Sequence, residues 1–301
     1  TILGEFLAVG AVIMCILFIM ADLGQPQRGM NIILHPSPNS VMFFDMIVLG
    51  GYLVINLILS WVALSAERND LKPSGWWIKP LIYLSVPWAV SIHTVTAFLY
   101  CGIPGRSFWM TAILAPRFLA SAFASGPALL ILISFVLRKF TRFDVGIKPI
   151  QKLAVIAAYA MILNVFFMLL EVFTAIYSNI PEHQHHFQYL FSGLHGHSLL
   201  VPWMWLSQIL AVVALVILIV PKYRNTEGLL IGGCITLFVA IWIDKGLGMV
   251  VTGFIPSQLG EVTEYWPTFQ EMCITLGIYG LGVLIITVLY KIALTVRGHV
   301  S

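Results

Sequence analysis

Residues 150–177, IQKLAVIAAYAMILNVFFMLLEVFTAIY, form the stretch that decides the fold. The run exceeds the roughly 20 apolar residues that a helix needs to cross a bilayer. Beyond Lys152 it contains one charged side chain, Glu171. The strands of a membrane barrel would be shorter and would alternate between apolar and polar residues. The stretch therefore predicts a transmembrane helix with one costly acidic group inside it.

The composition of the whole chain extends this prediction. Of its 301 residues, 59% are hydrophobic and 10% are charged, and the mean hydropathy is +0.95. Soluble domains carry roughly 25% charged residues. The chain is therefore predicted to be an integral membrane protein, and the absence of a basic tract argues against nucleic acid as a partner.

Eight apolar stretches are long enough to span a membrane, and short polar or Gly- and Pro-rich connections separate them. The predicted fold is all-α, a polytopic bundle of transmembrane helices in one membrane domain over residues 1–301, with two four-helix bundles. The predicted spans cover residues 3–22, 41–64, 77–101, 108–137, 150–177, 198–220, 228–254 and 272–295.

The basic residues sort to one side of these spans. Twelve of the 16 Lys and Arg residues lie in or beside the even-numbered loops and the C-terminus. They are Arg68, Lys72, Lys79, Arg138, Lys139, Arg142, Lys148, Lys152, Lys222, Arg224, Lys291 and Arg297. Because cytoplasmic loops are enriched in Lys and Arg, we expect these segments to face the cytoplasm. The odd-numbered loops, which hold Arg28 and Arg106, are then on the outer side of the cytoplasmic membrane.

Each ionisable residue inside a span raises the free energy of membrane insertion by at least about 2.5–3.5 kcal/mol, so each needs a partner or a function. Most of them are predicted to lie toward the outer side, whereas Glu5 lies toward the cytoplasm. The set comprises Glu5, Asp22, Asp45, His93, Arg117, Glu171, Asp244 and Lys245. A shared depth indicates a buried polar site or a small set of ion pairs.

Structural roles remain open for several of these residues. Asp22 could hydrogen-bond the turn at the end of its helix, and His93 could be a hydrogen-bonded core residue. Arg117 could pair with Asp45 or with Glu171. Asp244 and Lys245, adjacent in sequence, are expected to point about 100° apart and to face different partners.

A quinone headgroup suits such a site. Its carbonyls need hydrogen-bond donors, and oxidation of a quinol needs proton acceptors, both of which a histidine can provide near neutral pH. We predict His93, Asp45 and Glu171 as catalytic residues. The predicted quinone-binding residues are His93, Tyr100, Arg117, Asp22 and Asp45, and the predicted proton path contains Glu5, Asp244 and Lys245. A transporter site would use the same residue types.

Metal and haem sites are disfavoured. The four cysteines are far apart and form no CxxC, so no iron–sulfur cluster or zinc site is expected in this chain. Haem b is disfavoured because His93 is the one histidine inside a span. The remaining alternative is a metal held by the histidines of one outer loop, namely His183, His185, His186, His195 and His197.

Four segments resemble the NrfD/PsrC family of membrane quinone-interacting subunits. Residues 21–43, ADLGQPQRGMNIILHPSPNSVMF, resemble its ADLGRPxR…NPxSxM signature, with Gln25 where the motif often has Arg. Residues 93–129, 189–205 and 254–282 resemble the long branch of that family, with the DsrP type nearest and the HmcC and ActC types as rivals.

The resemblance implies menaquinone or a related quinone as the bound substrate. It also implies a four-cluster ferredoxin-like iron–sulfur subunit at the outer face, and further membrane and cytochrome subunits of a Dsr/Hmc-type complex linked to sulfur or sulfite metabolism. Long-branch members usually have ten spans, so we expect residues upstream of Thr1.

Two rival functions remain at this stage. The chain could translocate protons or ions without quinone chemistry of its own, or it could anchor partner subunits in the membrane. Bound quinone in the purified protein would favour the quinone function over both.

Overall fold

The computed structural model of the chain describes residues 2–69, 71, 75–257 and 259–296. Within those residues it contains eight helices that are long and apolar enough to cross a membrane, which confirms the predicted helical membrane fold. Thr1, Lys72 and Arg297, which entered the predictions of topology, lie outside the described residues.

The described residues form nine helices of more than ten residues, numbered in chain order. They are α1 (Ile2–Asp22), α2 (Val41–Arg68), α3 (Ile78–Cys101), α4 (Leu114–Phe140), α5 (Ile147–Ser178), α6 (Pro181–Phe191), α7 (Val201–Ile219), α8 (Glu227–Phe254) and α9 (Phe269–Val296). All except α6 are candidate membrane spans.

Large apolar side chains cover the outer surfaces of these helices. Trp61, Phe173 and Leu276 are 73%, 61% and 70% exposed, respectively. A soluble protein would rarely expose such extensive apolar patches to water. This surface is that of a multi-pass integral membrane protein, in which lipid covers the apolar faces.

The described chain divides into two compact units, each with four long helices. The first unit comprises the described residues within Thr1–Leu99, Thr141–Phe143 and Trp266–Ser301, and the second comprises Tyr100–Phe140 and Asp144–Tyr265.

In the first unit, α1 packs between α9 and α2. Gly10 allows the close approach of α9, because a Cβ there would lie only 2.5 Å from Cγ1 of Ile286. The hydroxyl of Tyr290 donates to the carbonyl of Leu3 at 2.7 Å. Helix α3 is tied to α2 by the indole of Trp88, which donates to the carbonyl of Val48 at 2.9 Å.

In the second unit, small side chains bring α4 and α5 together and allow α7 and α8 to pack beside them. Alanines let helix backbones approach closely. The van der Waals contacts formed in this way hold the helices together, because lipid provides no hydrophobic driving force for their association. The core includes Ala124, Ala128, Ala154, Ala157, Ala158, Ala211, Ala214, Leu230, Cys234 and Leu237.

The segment before α4 and the segment between α5 and α7 differ from the prediction. Helix α4 begins at Leu114 rather than near residue 108, because Ser107–Trp109 form a short 3₁₀ turn. The histidine-rich segment expected as a loop contains the amphipathic helix α6, which buries His186, Tyr189 and Leu190.

Helix α8 changes its hydrogen-bonding pattern midway. It is α-helical over Glu227–Trp242, π-helical over Ile243–Val251 and α-helical again over Thr252–Phe254. Such π segments are rare in proteins, and those that occur are often found at functional sites. This one contains both charged residues of the helix interior, Asp244 and Lys245.

Candidate functional site

The second unit contains a buried network of four charged side chains. The guanidinium of Arg117 donates through Nη1 to Oε2 of Glu171. Its Nη2 lies 3.1 Å from each carboxylate oxygen of Asp244. Arg117 therefore joins α4 to both α5 and α8, and its pairing with Glu171 is one of the two that the sequence left open.

Asp244 also pairs with its neighbour in sequence, which corrects the expectation that the two residues face different partners. Nζ of Lys245 lies 3.1 Å from Oδ2 of Asp244. Both residues lie in the π-helical segment of α8. Asp244 thus lies between two cations.

The network is almost entirely removed from solvent. The side chains of Arg117, Glu171, Asp244 and Lys245 are 4%, 9%, 9% and 13% exposed. Two cations and two carboxylates balance in charge, which is the arrangement that makes burial in a membrane tolerable. Oε1 of Glu171 has no hydrogen-bond partner among the described residues.

The helix ends explain how the network assembles. Arg117 lies one turn inside the start of α4, whereas Glu171 lies two turns before the end of α5. Because α4 and α5 are consecutive spans, the start of one and the end of the other face the same side of the membrane. Asp244 lies in α8, which ends on that side as well.

Trp109 attaches the segment before α4 to the π segment. Its side chain is fully buried, and its Nε1 donates to the carbonyl of Met249 at 2.9 Å. The indole lies against Gly253, where a Cβ would clash with the ring. Glycine is therefore required at position 253 by this packing.

Arg106 completes the attachment of this segment. Its Nη1 donates to the carbonyl of Phe254 at 3.0 Å, and its guanidinium carbon lies 5.1 Å from the centre of the Phe254 ring. The sequence placed Arg106 in an odd-numbered loop and gave it no contact within the chain. In the structure it binds the end of α8.

His186 connects α6 to the same region. Its Nδ1 lies 3.1 Å from the carbonyl of Thr252 and 2.9 Å from that of Ile255, so Nδ1 carries the proton. Its Nε2 then accepts from the hydroxyl of Ser107 at 3.2 Å. Burial lowers the pKa of His186, so the imidazole remains neutral.

The segments before α7 and α9 contain a second polar contact. Glu264 accepts from the backbone N–H of Leu199 at 2.8 Å, and its Oε2 lies 3.4 Å from Nδ1 of His197. The hydrogen bond from Leu199 lowers the pKa of Glu264. Glu264 therefore ties the segment before α9 to the segment before α7.

The first unit holds four further predicted site residues. Asp45 is 8% exposed, and its Oδ1 accepts from the hydroxyl of Thr96 at 2.9 Å. His93 is partly buried and lies one turn from Thr96 on the same face of α3. Asp22 is exposed at the end of α1. Glu5 is partly buried, and its Oε2 has no partner among the described residues.

Tyr100 begins the second unit and packs in an aromatic cluster. Its ring centre lies 4.8 Å from that of Trp109 and 6.0 Å from that of Phe118. The predicted site that joins His93 with Arg117 and Glu171 stays a prediction, because these residues belong to different units.

No group of three or more His, Cys, Asp or Glu side chains is arranged to hold a metal ion in the described part of the chain. Two of the five histidines between α5 and α7 make other contacts there, since His186 bonds backbone carbonyls and His197 faces Glu264.

Comparison with known proteins identifies the family. Residues 1–247 match the family described as "Polysulphide reductase, NrfD". The chain belongs to the NrfD family. This confirms the resemblance at the level of the family, whereas the placement within its long branch stays a prediction.

Three curated proteins are similar to this NrfD-family chain. A putative membrane subunit of dimethyl sulfoxide reductase from Halobacterium salinarum is 24% identical, over 94% of this chain and 72% of that protein. An Hdr-like menaquinol oxidoreductase integral membrane subunit from Archaeoglobus fulgidus is 26% identical, over 56% of this chain and 41% of that protein. A selenate reductase subunit from Mesobacillus selenatarsenatis is 21% identical, over 91% of this chain and 72% of that protein.

Proposed function

We propose that this chain is the quinone-interacting membrane subunit of a multisubunit oxidoreductase. In this proposal it exchanges electrons between a menaquinone-type quinone and an iron–sulfur partner subunit at the outer face, in a complex linked to sulfur or sulfite metabolism. The observation that carries the proposal is the buried, charge-balanced network of Arg117, Glu171, Asp244 and Lys245 inside spans of an NrfD-family protein.

The network supports proton exchange, which quinone chemistry requires. Oxidation of a quinol to a quinone releases two electrons and two protons, so a membrane site needs carboxylates or imidazoles that accept protons. Glu171 and Asp244 are such acceptors. Arg117 and Lys245 balance their charge and hold them in place.

In the first unit, His93 and Asp45 are the residues proposed to meet the headgroup. His93 would donate to a quinone carbonyl or accept a proton from a quinol hydroxyl, and Asp45 would take up a proton. The Thr96 hydroxyl orients Asp45. Asp22 and Tyr100 are proposed as further headgroup contacts, and Glu5 as part of a proton route toward the cytoplasm.

Replacement of His93 tests this proposal. We expect His93→Ala to abolish quinol-linked electron transfer in the purified complex while all the proteins of the complex stay assembled, because the headgroup loses its proton partner. His35→Ala, which changes an exposed histidine of the same unit, is the matched control and should retain full turnover.

Full turnover in His93→Ala would remove His93 from the mechanism. The rival function, translocation of protons or ions without quinone chemistry, predicts that no quinone is extracted with the purified protein. It also predicts that a fluorescent quinol analogue does not bind.

A further inference from the structure

A groove of about 580 Å³ lies in the first unit, between the C-terminal half of α2 and the start of α3. Its walls are mainly apolar, and Leu57, Trp61 and Leu71 among them are exposed. Ligand pockets in proteins span roughly 300–1,000 Å³, so the groove is large enough to hold a ligand. All the residues that line it belong to the first unit.

The wall that α2 contributes has the length of one membrane leaflet. Successive residues of an α-helix are about 100° apart, so Leu57, Trp61 and Ser65 lie on one face of α2, and all three line the groove. At about 1.5 Å per residue, the helix rises about 16 Å from Leu57 to Arg68. One leaflet contributes about half of the roughly 30 Å of hydrocarbon in a bilayer. The groove can therefore hold an extended acyl chain.

Two exposed cations flank the end of the groove at which α2 ends and α3 begins. Arg68 is the last residue of α2, and Lys79 is the second residue of α3. Around the axis of α2, Arg68 lies within about 20° of Leu57, on the side of the groove. Glu67 lies about 160° from Ser65, on the opposite side. An apolar groove thus ends beside two positive charges.

Tryptophans indicate the depth of this end in the membrane. Trp76 and Trp77 precede α3 and are exposed, and Trp77 lines the groove. Tryptophans are enriched where a membrane meets water, at the level of the lipid headgroups. Basic pockets between transmembrane helices at this level bind anionic headgroups. Arg68 and Lys79 are therefore placed where the phosphate of a lipid would lie.

We propose that this groove binds one anionic phospholipid, with an acyl chain along Leu57 and Trp61 and the headgroup phosphate between Arg68 and Lys79. The two cations favour an anionic headgroup, because a zwitterionic headgroup brings a positive charge of its own to the same place. The inference goes beyond the proposed function, since none of these residues is assigned to the quinone or to proton exchange.

The test is native mass spectrometry of the purified complex, stripped of lipid in detergent and titrated with phosphatidylglycerol or with phosphatidylcholine. We expect one phosphatidylglycerol to bind to the wild-type complex, and to bind more tightly than phosphatidylcholine. Arg68→Gln with Lys79→Gln should weaken the binding of phosphatidylglycerol about thirtyfold, because each basic residue near an anionic headgroup contributes about fivefold.

The matched control for charge is Arg28→Gln with Lys291→Gln. This variant removes two exposed cations of the same unit that do not line the groove. It lowers the overall positive charge by the same amount, so the affinity for phosphatidylglycerol should stay unchanged if the groove is the site.

Ser65→Trp tests the part of the groove assigned to the acyl chain. Ser65 lines the groove, so a large ring there fills it and should abolish binding of the lipid. Val283→Trp adds the same ring on an exposed face of α9 and should retain binding. A ligand that binds the folded state raises the midpoint of thermal unfolding. Phosphatidylglycerol should therefore raise it in the wild type and in both controls, and not in Ser65→Trp. The midpoints without lipid show whether each variant is folded.

Three results would overturn this inference. The first is equal affinity for the two lipids, and the second is unchanged binding of phosphatidylglycerol in Arg68→Gln with Lys79→Gln. The third is a mass spectrum in which Ser65→Trp loses another protein of the complex or a second copy of this chain instead of a lipid, since the groove would then be a protein contact. The proposed function stands in each case, because its test on His93 does not involve the groove.

Discussion

Asp244 is the residue on which the buried network depends, because its two carboxylate oxygens face both Arg117 and Lys245. Transfer of charged groups out of water costs several kcal/mol per ion, and this cost is offset only when every charge keeps its partner. With Asp244 in place the network balances two positive and two negative charges. Without it, Glu171 alone would face two cations.

The variant Asp244→Asn therefore should destabilise the protein strongly. Removal of one partner from a buried ion pair lowers the free energy of unfolding by about 3–5 kcal/mol. We expect a clearly lower midpoint of thermal unfolding in detergent. The double variant Asp244→Asn with Lys245→Met restores the charge balance and should recover part of the loss.

The exposed ion pair of the same unit is the control. Arg138 and Glu227 approach within 2.5 Å, but their side chains are 33% and 48% exposed. Because solvent screens such pairs, Glu227→Gln should leave the midpoint nearly unchanged. Equal midpoints for Asp244→Asn and Glu227→Gln would contradict the role given to the buried network.

At the scale of elements, three side chains hold the segment before α4 and helix α6 on the C-terminal part of α8, which comprises the π segment and the short α-helical end after it. Trp109 binds the carbonyl of Met249, Arg106 binds that of Phe254, and His186 binds that of Thr252. The C-terminal end of α8 is thereby fixed by contacts from two other elements.

The sequence predicted the spans but not these contacts, for physical reasons. Hydropathy and length identify helices in lipid because unpaired backbone is forbidden there. They do not distinguish i→i+4 from i→i+5 hydrogen bonds, so the π segment and the pairing of Asp244 with Lys245 were missed. The apolar residues of α6 are too few for a span, and its burial depends on tertiary contacts that local sequence does not encode.

The neutral state of His186 predicts a pH response of α6. Burial lowers the pKa of His186 in the folded protein, whereas the imidazole of a detached helix titrates near about 6.5. A detached helix therefore binds more protons, and the docking of α6 weakens as the pH falls below about 6.5. Hydrogen exchange of the amides of Pro181–Phe191 should increase at about pH 5.5 relative to about pH 8, after correction for the intrinsic rates.

Two variants test whether His186 is the group that causes this pH response. His186→Gln should remove it, because glutamine does not titrate, whereas replacement of both His183 and His185 by glutamine should leave most of it in place. An unchanged pH response in His186→Gln would assign it to another group.

At the scale of the whole molecule, the order of spans and basic loops determines the proposed orientation. The described cations Arg138, Lys139 and Arg142 lie around the connection between α4 and α5, whereas the connection between α5 and α7 contains Glu182 and histidines but no Lys or Arg. Because cytoplasmic loops are biased toward Lys and Arg, we propose that the second connection faces outward. The network of Arg117, Glu171 and Asp244 then lies nearer the outer surface.

Labelling of single cysteines tests this orientation. In a chain whose four native cysteines are replaced, Glu182→Cys should react with a membrane-impermeant maleimide in intact spheroplasts. Thr226→Cys, on the connection between α7 and α8, should react only after the membrane is opened. The reverse pattern would invert the proposed topology and place the network near the cytoplasm.

The charge balance of the network has a consequence for its response to the transmembrane voltage. A voltage of 100 mV does about 2.3 kcal/mol of work on each elementary charge that crosses the whole membrane. Two cations and two carboxylates that move together experience no net electrical force. When Glu171 or Asp244 takes up a single proton, the group gains one positive charge, and its protonation then depends on the voltage.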